Sequence, residues 1–332
     1  MADPMADLPN DPARSVAVVI PVYRGEKTIG GIVSELLPLT VDQATPGGNS
    51  FRVTEIILVH DVGPDRSDLV MEQLSQDYPF VHVIWLSRNF GQHPATLAGL
   101  SSTSADWVVT MDEDGQHDPR DIPKLLDVAI ESGAQVVYAS PTNPPPHGLL
   151  RNAASAAAKR LFVSTLDGGN ANRFHSFRII SGEIARSLAA YCGSNVYLDV
   201  ALSWLVGRTS TAPVRMRSEG KERMSGYNFS RLFAHFWRMV LTSGTRPLRI
   251  IAMLGTFSMV IALALSGYAL WEKFTQRVPI MGWTSMVIAT SFFSGAILFS
   301  LGIIAEYLGS AVNMAMGKPV YVTVSKPVRF RT

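Results

Sequence analysis

Two long stretches without a charged side chain place the strongest limit on how this chain can fold. They cover residues 250–271 and 284–305 of the 332 residues. As helices at about 1.5 Å per residue, each would be roughly 33 Å long, close to the ~30 Å hydrocarbon core of a bilayer. Core helices of this length normally keep a polar face, so the pair predicts a transmembrane hairpin. Two buried core helices are the alternative.

Charges beside the two stretches indicate which side of the membrane the chain ends occupy. Arg246 and Arg249 precede the first stretch and Lys318 follows the second. The positive-inside rule therefore favours both termini in the cytoplasm of a multi-pass protein of the cell (inner) membrane, although the connecting loop also carries two basic residues. The apolar run 16–20 is too short for a signal peptide, and the single cysteine excludes an internal disulfide. A reducing, cytoplasmic location is expected for the N-terminal part.

The segment before the first stretch carries a basic face. Arg231, His235 and Arg238 recur at helical spacing with aromatic and apolar residues between them. Such a helix is expected in the membrane interface, with a helix of a soluble core as the alternative. The predicted organisation is a flexible N-terminus (1–14), a cytoplasmic α/β domain (15–228), this amphipathic segment (229–247), the hairpin (248–309) and a cytoplasmic tail (310–332).

Strand and helix patterns alternate before the membrane part. Repeated units of this kind predict an α/β fold with a mostly parallel sheet and helices on both faces, in which ligands bind beyond the carboxyl ends of the strands. No G-x-G-x-x-G or P-loop follows the strands, so neither a dinucleotide site nor a P-loop nucleotidase is predicted. The apolar runs that predict strands lie at 16–22, 55–60, 81–86, 107–111 and 136–139.

Acidic side chains follow one of these strands at short spacing. Asp112 and Asp114 stand at i and i+2 after an apolar run, and Gln116 comes next. A carboxylate pair at a strand end can hold a hard divalent cation, which would neutralise phosphates. The alternative is an acidic turn without a ligand.

Residues suited to a nucleoside follow the first two strands. Pro21 and Tyr23 can form walls for a base, and Glu26 and Asp61 can accept hydrogen bonds from base or ribose. The formal net charge of +2 gives no sign of a nucleic-acid partner, and none is expected.

Several short motifs follow one another along the chain. They are Ile20-Pro21-Val22-Tyr23, Val59-His60-Asp61, Arg88-Asn89-Phe90-Gly91, Asp112-x-Asp114-x-Gln116-His117 and Gly317-Lys318-Pro319-Val320-Tyr321. Their order resembles that of the inverting family-two glycosyltransferases. More narrowly, R-N-F-G followed by A-G-L, a second Arg-rich region and the C-terminal hairpin with its flanking motif resemble polyprenyl-phosphate glycosyltransferases. This resemblance implies a GT-A type nucleotide-sugar-binding domain.

The resemblance also implies roles for individual residues. A catalytic set of Asp112, Asp114, Gln116 and Arg151 is implied, the first three holding Mg²⁺ or Mn²⁺ on the donor diphosphate. Each isolated arginine has a solvated surface charge as its alternative. The implied nucleotide-binding residues are Pro21, Tyr23, Glu26, Val59, Asp61, Asp112, Glu113 (mainly through its backbone) and Asp114; those for the acceptor phosphate or donor diphosphate are Arg151, Ser155, Arg178, Arg217 and Arg223.

The chain departs from the family pattern at several positions. The usual D-G-S after the second strand reads Asp61-Val62-Gly63, and the usual G-D-F-R has Ser176 in place of its carboxylate. A base proposed in some members therefore has no counterpart, and Arg178 would be either a ligand or a structural ion-pair partner. His117 and Asp118 are candidate bases, with His117 expected to position the metal loop.

The implied reaction is the transfer of one sugar from a UDP- or GDP-linked donor to polyprenyl (undecaprenyl) phosphate, with inversion, at the cytoplasmic membrane face. A phosphate monoester with a second pKa of about 6 is largely dianionic near pH 7, so it can attack without a strong base. A catalytically impaired membrane scaffold and a processive polysaccharide synthase are the alternatives, although the Q-x-x-R-W motif of the latter is absent. Small residues of the hairpin, Gly295, Ala296 and Gly302, suit a homo-oligomer.

Overall fold

The computed structural model describes residues 13–143, 174–193, 196–217 and 282–326, with a few positions between 255 and 275. These residues form a nine-stranded mixed sheet of order β8-β6-β7-β5-β1-β3-β4-β9, with β2 beside β3. The strands are β1 (Arg14–Val22), β2 (Gln43–Ala44), β3 (Ser50–His60), β4 (Val81–Leu86), β5 (Trp107–Thr110), β6 (Val136–Pro141), β7 (Arg178–Ser181), β8 (Thr209–Val214) and β9 (Thr323–Val324).

The centre of the sheet is parallel and buried on both faces. Strands β5, β1, β3 and β4 run in the same direction, and Val18 of β1 lies opposite Ile56 and Val109. Helices cover both faces, as the apolar runs predict, and the α/β fold with a mostly parallel sheet is confirmed. The helices are α1 (Ile29–Leu36), α2 (Ser67–Asp77), α3 (Gln92–Leu100), α4 (Ile122–Ser132), α5 (Gly182–Tyr191), α6 (Leu198–Leu205) and α7 (Trp283–Ala315).

Helix α3 packs unusually close to the sheet because of a glycine in the A-G-L motif. A Cβ at Gly99 would lie 2.3 Å from Val19 Cγ1 of β1. The beginning of α3, with Gln92, lies at the carboxyl ends of the central strands.

The structure differs from the predicted segments at β7 and in the tail. The antiparallel strand β7 lies between β5 and β6 and was not predicted from the sequence. Within the segment predicted as a cytoplasmic tail (310–332), α7 continues through Ala315, and β9 then pairs antiparallel with β4 in the same compact unit as the sheet.

One helix of the part of the chain that the structure describes is long and apolar enough to cross a membrane. It is the segment Phe292–Ala315 of α7, by length and composition only. The predicted second span (284–305) lies within α7. The first stretch (250–271) falls largely outside the described residues, as does the amphipathic segment (229–247), so the two-helix hairpin stays a prediction.

Candidate active site

A cleft of about 460 Å³ opens at the carboxyl ends of β1, β3, β4 and β5. This is the edge at which parallel sheets bind ligands. Two of the three predicted metal ligands and four further predicted nucleotide-binding residues meet there. These six residues are Pro21, Tyr23, Asp61, Asp112, Glu113 and Asp114.

The acidic turn after β5 is held in a compact conformation by its own polar groups. The backbone N–H of Gln116 donates to Asp114 Oδ1 at 3.1 Å, and Gly115 adopts a positive φ of 76° that a glycine tolerates best. The backbone N–H of Asp112 donates to His117 Nδ1 at 3.0 Å. These bonds shape the backbone of the turn that carries the two carboxylates.

The Asp112 carboxylate accepts a hydrogen bond at each oxygen. Gln92 Nε2 donates to Oδ1 and Ser176 Oγ donates to Oδ2, both at 2.6 Å. Burial raises the pKa of Asp112, and the bond from Ser176 works against that rise. Ser176 stands where the family's G-D-F-R motif has a carboxylate, so in this chain the position supports Asp112.

His117 serves the turn as a neutral side chain. Burial lowers its pKa to about 4, so the ring is uncharged at pH 7. Because Nδ1 accepts from the Asp112 backbone, Nε2 carries the proton, and the ring stacks on Phe177 with centroids 4.9 Å apart. This arrangement supports the expected positioning role. The other candidate base, Asp118, is bonded to Arg120 and Arg217.

The charges of the cleft fit a hard divalent cation. Among the residues that the structure describes, its lining includes four carboxylates and no basic residue, so these residues alone would repel a diphosphate without a positive charge beside it. The described residues contain no group of three or more His, Cys, Asp or Glu side chains that could hold a metal ion by themselves. Magnesium is commonly held by only one or two carboxylates plus substrate phosphates. The pair Asp112 and Asp114 meets that requirement.

Two carboxylates of the cleft hold neighbouring loops. The Glu113 side chain accepts from the backbone N–H groups of Tyr23 and Arg24 at 2.7 and 2.9 Å, whereas the resemblance implied mainly a backbone role for Glu113. Asp61 accepts from the N–H groups of Phe90 and Gly91 at 2.7 and 2.8 Å. Burial raises the pKa of Asp61, and these two bonds oppose the rise.

The altered D-G-S motif forms a tight contact with the loop after β1. Val62 has a φ of 49°, a left-handed conformation that costs a non-glycine residue roughly 1–2 kcal/mol. A Cβ at the next residue, Gly63, would lie only 1.6 Å from the Tyr23 carbonyl oxygen. The glycine of the usual D-G-S motif therefore stands one residue later in this chain, at the position where the backbone of the loop after β3 contacts that of Tyr23.

Several predicted site residues lie away from the lining of the cleft. Val59, predicted to bind the nucleotide, is a fully buried core residue whose side chain does not line the cleft. Glu26 accepts from the backbone N–H of Arg66 at 3.1 Å. Gln116 is held in the acidic turn, but its side chain does not line the cleft.

The two described arginines of the predicted phosphate-binding set are engaged in ion pairs. Arg178 is 3% exposed and pairs with the buried Asp199, which favours its structural alternative. Arg217 pairs with Glu35 at 2.7 Å and with Asp118 at 2.9 Å. The predictions for Arg151, Ser155 and Arg223 lie outside the described residues.

Sequence reasoning missed Gln92 and the role of Ser176. Gln92 follows R-N-F-G at the beginning of α3, and a polar side chain at that position was the available signal. Ser176 was noticed only as a missing carboxylate. Their common partner, Asp112, is 20 and 64 residues away in the sequence, so neither bond follows from local spacing.

The family follows from the match of residues 17–190 to the model of glycosyl transferase family 2. That segment covers more than half of the chain and includes the strands and acidic turn that form the cleft. The chain belongs to glycosyl transferase family 2, which confirms the resemblance seen in its motifs.

Similarity to two relatives extends over nearly the whole chain. The bactoprenol glucosyl transferase of Shigella phage SfX is 24% identical over 317 residues, covering 94% of this chain and 99% of that protein. The undecaprenyl-phosphate 4-deoxy-4-formamido-L-arabinose transferase of Yersinia pestis (strain Pestoides F) is 28% identical over 322 residues, covering 94% and 93%.

Solved structures align with this chain at low identity. Mannosyl-3-phosphoglycerate synthase from Rubrobacter xylanophilus aligns with a TM-score of 0.50 at 16% identity, covering 70% of this chain and 74% of that one. The glucosyl-3-phosphoglycerate synthase of Mycobacterium tuberculosis, solved with Mn²⁺ and UDP-glucose, aligns with a TM-score of 0.47 at 15% identity over 69% and 77%.

Proposed function

We propose that this chain transfers one sugar from a nucleotide-sugar to polyprenyl phosphate, with inversion, at the cytoplasmic face of a cell membrane. The cleft supports the donor half, because a wall suited to a base (Pro21 and Tyr23) faces a carboxylate pair (Asp112 and Asp114). The relatives named for undecaprenyl phosphate and bactoprenol, similar over 94% of the chain, support the acceptor half.

Asp112 and Asp114, with Gln116, would hold Mg²⁺ or Mn²⁺. Bound there, the cation would neutralise charge on the departing nucleoside diphosphate. The single observation that carries this proposal is the cleft, whose described lining brings four carboxylates together at the strand ends, Asp112 and Asp114 among them. Gln92 and Ser176 would keep Asp112 oriented, and His117 would hold the backbone of the turn.

The acceptor phosphate would act as its own nucleophile. His117 is buried and neutral, and Asp118 is paired with two arginines, so neither is placed as a general base. A phosphate dianion needs positioning more than deprotonation. Arg151, Ser155 and Arg223 are proposed for that positioning, and Arg217 would support the acidic turn through its backbone bond to the Gln116 carbonyl.

The position of β9 supports a membrane hairpin. Strands before and after the apolar segments lie in one sheet, so the chain must return to the side of the membrane from which it left. If α7 crosses the bilayer, one further crossing is needed between residues 218 and 281, and 250–271 is the uncharged stretch that fits. Association of such hairpins through Gly295, Ala296 and Gly302 is part of the proposal.

The test is transfer of labelled sugar from UDP- and GDP-linked donors to undecaprenyl phosphate by the purified chain. Asp114→Asn is expected to reduce transfer by about 10³-fold, the magnitude for losing electrostatic stabilisation of a departing charge. Asp42→Asn, an exposed carboxylate paired with Arg52, is the matched control and should transfer normally.

Two outcomes would contradict the proposal in different ways. Turnover of Asp114→Asn close to that of the unaltered protein would reject the metal site. Metal-dependent binding of UDP or GDP without lipid-linked product from any donor would favour the impaired scaffold instead.

A further inference from the structure

Hydrogen bonds join the loops after β1, β3, β4 and β5 into a closed ring. In each link a side chain of one loop contacts the next loop, so the ring does not depend on the sheet alone. The links are Glu113 to Tyr23 and Arg24, Glu26 to Arg66 with Asp65 to Glu26, Asp61 to Phe90 and Gly91, and Gln92 to Asp112.

The Glu113 link joins the proposed cation site directly to the proposed wall for the base. Its neighbours on either side, Asp112 and Asp114, form the proposed cation site, whereas Tyr23 forms the proposed wall for the base. Glu113 Oε2 lies 2.7 Å from the Tyr23 backbone nitrogen and 2.9 Å from that of Arg24, and Oε1 lies 3.0 Å from the latter. Bonds from N–H groups to a carboxylate are about twice as strong as neutral ones.

The loop after β1 leaves room for this carboxylate through a glycine. A Cβ at Gly25 would lie 3.1 Å from Glu113 Oε2 and 2.8 Å from Val22 Cγ1. A larger residue would therefore displace either the carboxylate or the end of β1. The space between the two loops fits a side chain of the length of glutamate at position 113, whose carboxylate reaches the backbone of Tyr23 and Arg24.

We propose that Glu113 is a positioning residue that couples cation binding to nucleoside binding. This inference rests on the proposed function. When Asp112 and Asp114 close on a cation, the peptide between them is fixed, and the Glu113 side chain fixes the Tyr23 backbone in turn. Each ligand then strengthens the other by the same factor, since coupling between two sites is reciprocal.

The experiment measures UDP and GDP binding to the full chain in detergent by calorimetry, with and without Mn²⁺. Glu113→Gln keeps the size of the side chain but removes its negative charge. It also replaces one of the two accepting oxygens with an NH₂ group, which cannot accept from a backbone N–H group. The strengthening of nucleotide binding by Mn²⁺ is expected to fall by about tenfold, within the usual range of site-to-site coupling. Glu131→Gln, an exposed residue of α4, should leave it unchanged.

A second variant separates position from charge. Glu113→Asp keeps the negative charge beside the cation but shortens the side chain by one methylene. If Glu113 acts by reaching the Tyr23 loop, Asp should lose the coupling as Gln does. If it acts only through its charge, Asp should behave like the unaltered protein, which would overturn the proposal.

The outcomes also distinguish this inference from the proposed function. Mn²⁺-dependent nucleotide binding that is equally strong in Glu113→Gln would overturn the role of Glu113 alone. Nucleotide binding that does not depend on Mn²⁺ in the unaltered protein would overturn both. A thermal unfolding midpoint within a few degrees of the unaltered protein establishes that each variant is folded.

Discussion

Strand β1 and helix α7 are built from the same kinds of apolar side chain but meet opposite surroundings. Val16, Val18 and Ile20 of β1 are completely buried between helices on both faces of the sheet. In α7, Leu298 is 69% exposed and Leu301 is 54% exposed. Among the described side chains of α7, Ile303 alone is buried.

This difference shows what each region requires from its environment. The apolar strands are buried by helices of the same domain, and the polar loops at their ends form the cleft. Among its described side chains, helix α7 exposes apolar groups from Met286 to Met314, far more than a water-soluble surface carries. It therefore needs an apolar environment from outside the described fold, and a bilayer is the environment proposed above.

The largest expected effect comes from placing charges in both regions. Val18→Asp would bury an unpaired charge in the core and is expected to unfold the sheet domain and abolish nucleotide binding. Leu298→Asp with Leu301→Asp should leave the domain folded but oppose membrane insertion by about 6 kcal/mol, at roughly 3 kcal/mol per charge. Strand β9 pairs with β4, so the chain after α7 lies on the same side of the membrane as the sheet. A single crossing by the first apolar stretch would place it on the opposite side. Without α7 in the membrane, the first stretch is therefore not expected to stay inserted.

Alkaline extraction of membranes and nucleotide binding are the measurements. The double variant should be released by alkali while still binding UDP or GDP. Retention in the membrane at the level of the unaltered protein would show that α7 is not a membrane span. The exposed apolar side chains of α7 would then need a different explanation.

Removal of residues 319–332 tests whether the segment after α7 belongs to the sheet region. The cut exposes the edge of β4 and removes Tyr321, whose hydroxyl lies 2.9 Å from Ser101 Oγ and whose ring packs on the core. Stability should fall by about 3 kcal/mol, near the value for fully burying one large apolar side chain plus its lost hydrogen bonds. The thermal unfolding midpoint in detergent measures the loss.

A milder variant gives the control for this deletion. Tyr321→Phe keeps the packing of the ring and loses only the hydroxyl bond, so it should cost about 1 kcal/mol. An unchanged midpoint after the deletion would show that β9 contributes nothing to the domain.

Much of the sheet region could be predicted because its signals are local. Apolar runs predicted the bounds of β4 correctly, and the acidic turn was placed at a strand end. Partners distant in sequence could not be predicted. Ser176 meets Asp112 only because the antiparallel β7 lies beside β5, and that short strand has no periodic signal of its own.

Substitution of two glycines compares the packing of the regions directly. Gly63→Ala places a Cβ where the Tyr23 carbonyl oxygen lies, so the loops after β1 and β3 must separate. A loss of roughly 2 kcal/mol is expected from such overpacking, with weaker nucleotide binding. Gly309→Ala in α7 is the control, because nothing lies within 4 Å of its Cβ position.

Unfolding midpoints and calorimetric nucleotide binding would be compared for the two glycine variants. The control should match the unaltered protein or gain slightly, since alanine favours a helix by about 1 kcal/mol over glycine. Equal behaviour of the two variants would show that the contact between Tyr23 and Gly63 is not close in solution.

The smallest effect concerns His60, a polar side chain in the buried region. Neither ring nitrogen has a hydrogen-bond partner among the described residues, and the ring meets Trp85 edge-on at 5.2 Å. Burial lowers the pKa of His60, although Asp68 and Asp65 act in the opposite direction. Near and below pH 6.5 the unfolded chain therefore binds more protons at this position than the folded chain does, and stability falls as the pH falls.

His60→Phe removes this titration and keeps an aromatic ring against Trp85. The variant should gain stability over the unaltered protein by about 1 kcal/mol more at pH 5.5 than at pH 7.5, from one histidine with an unfolded pKa of 6.5. Denaturant unfolding of both proteins at the two pH values, with a chelator present, gives the difference, and other titrating groups cancel in it. A difference that is the same at both pH values would show that His60 is hydrated or paired in solution, and that the core beneath the cleft is less dry than the surroundings of β1.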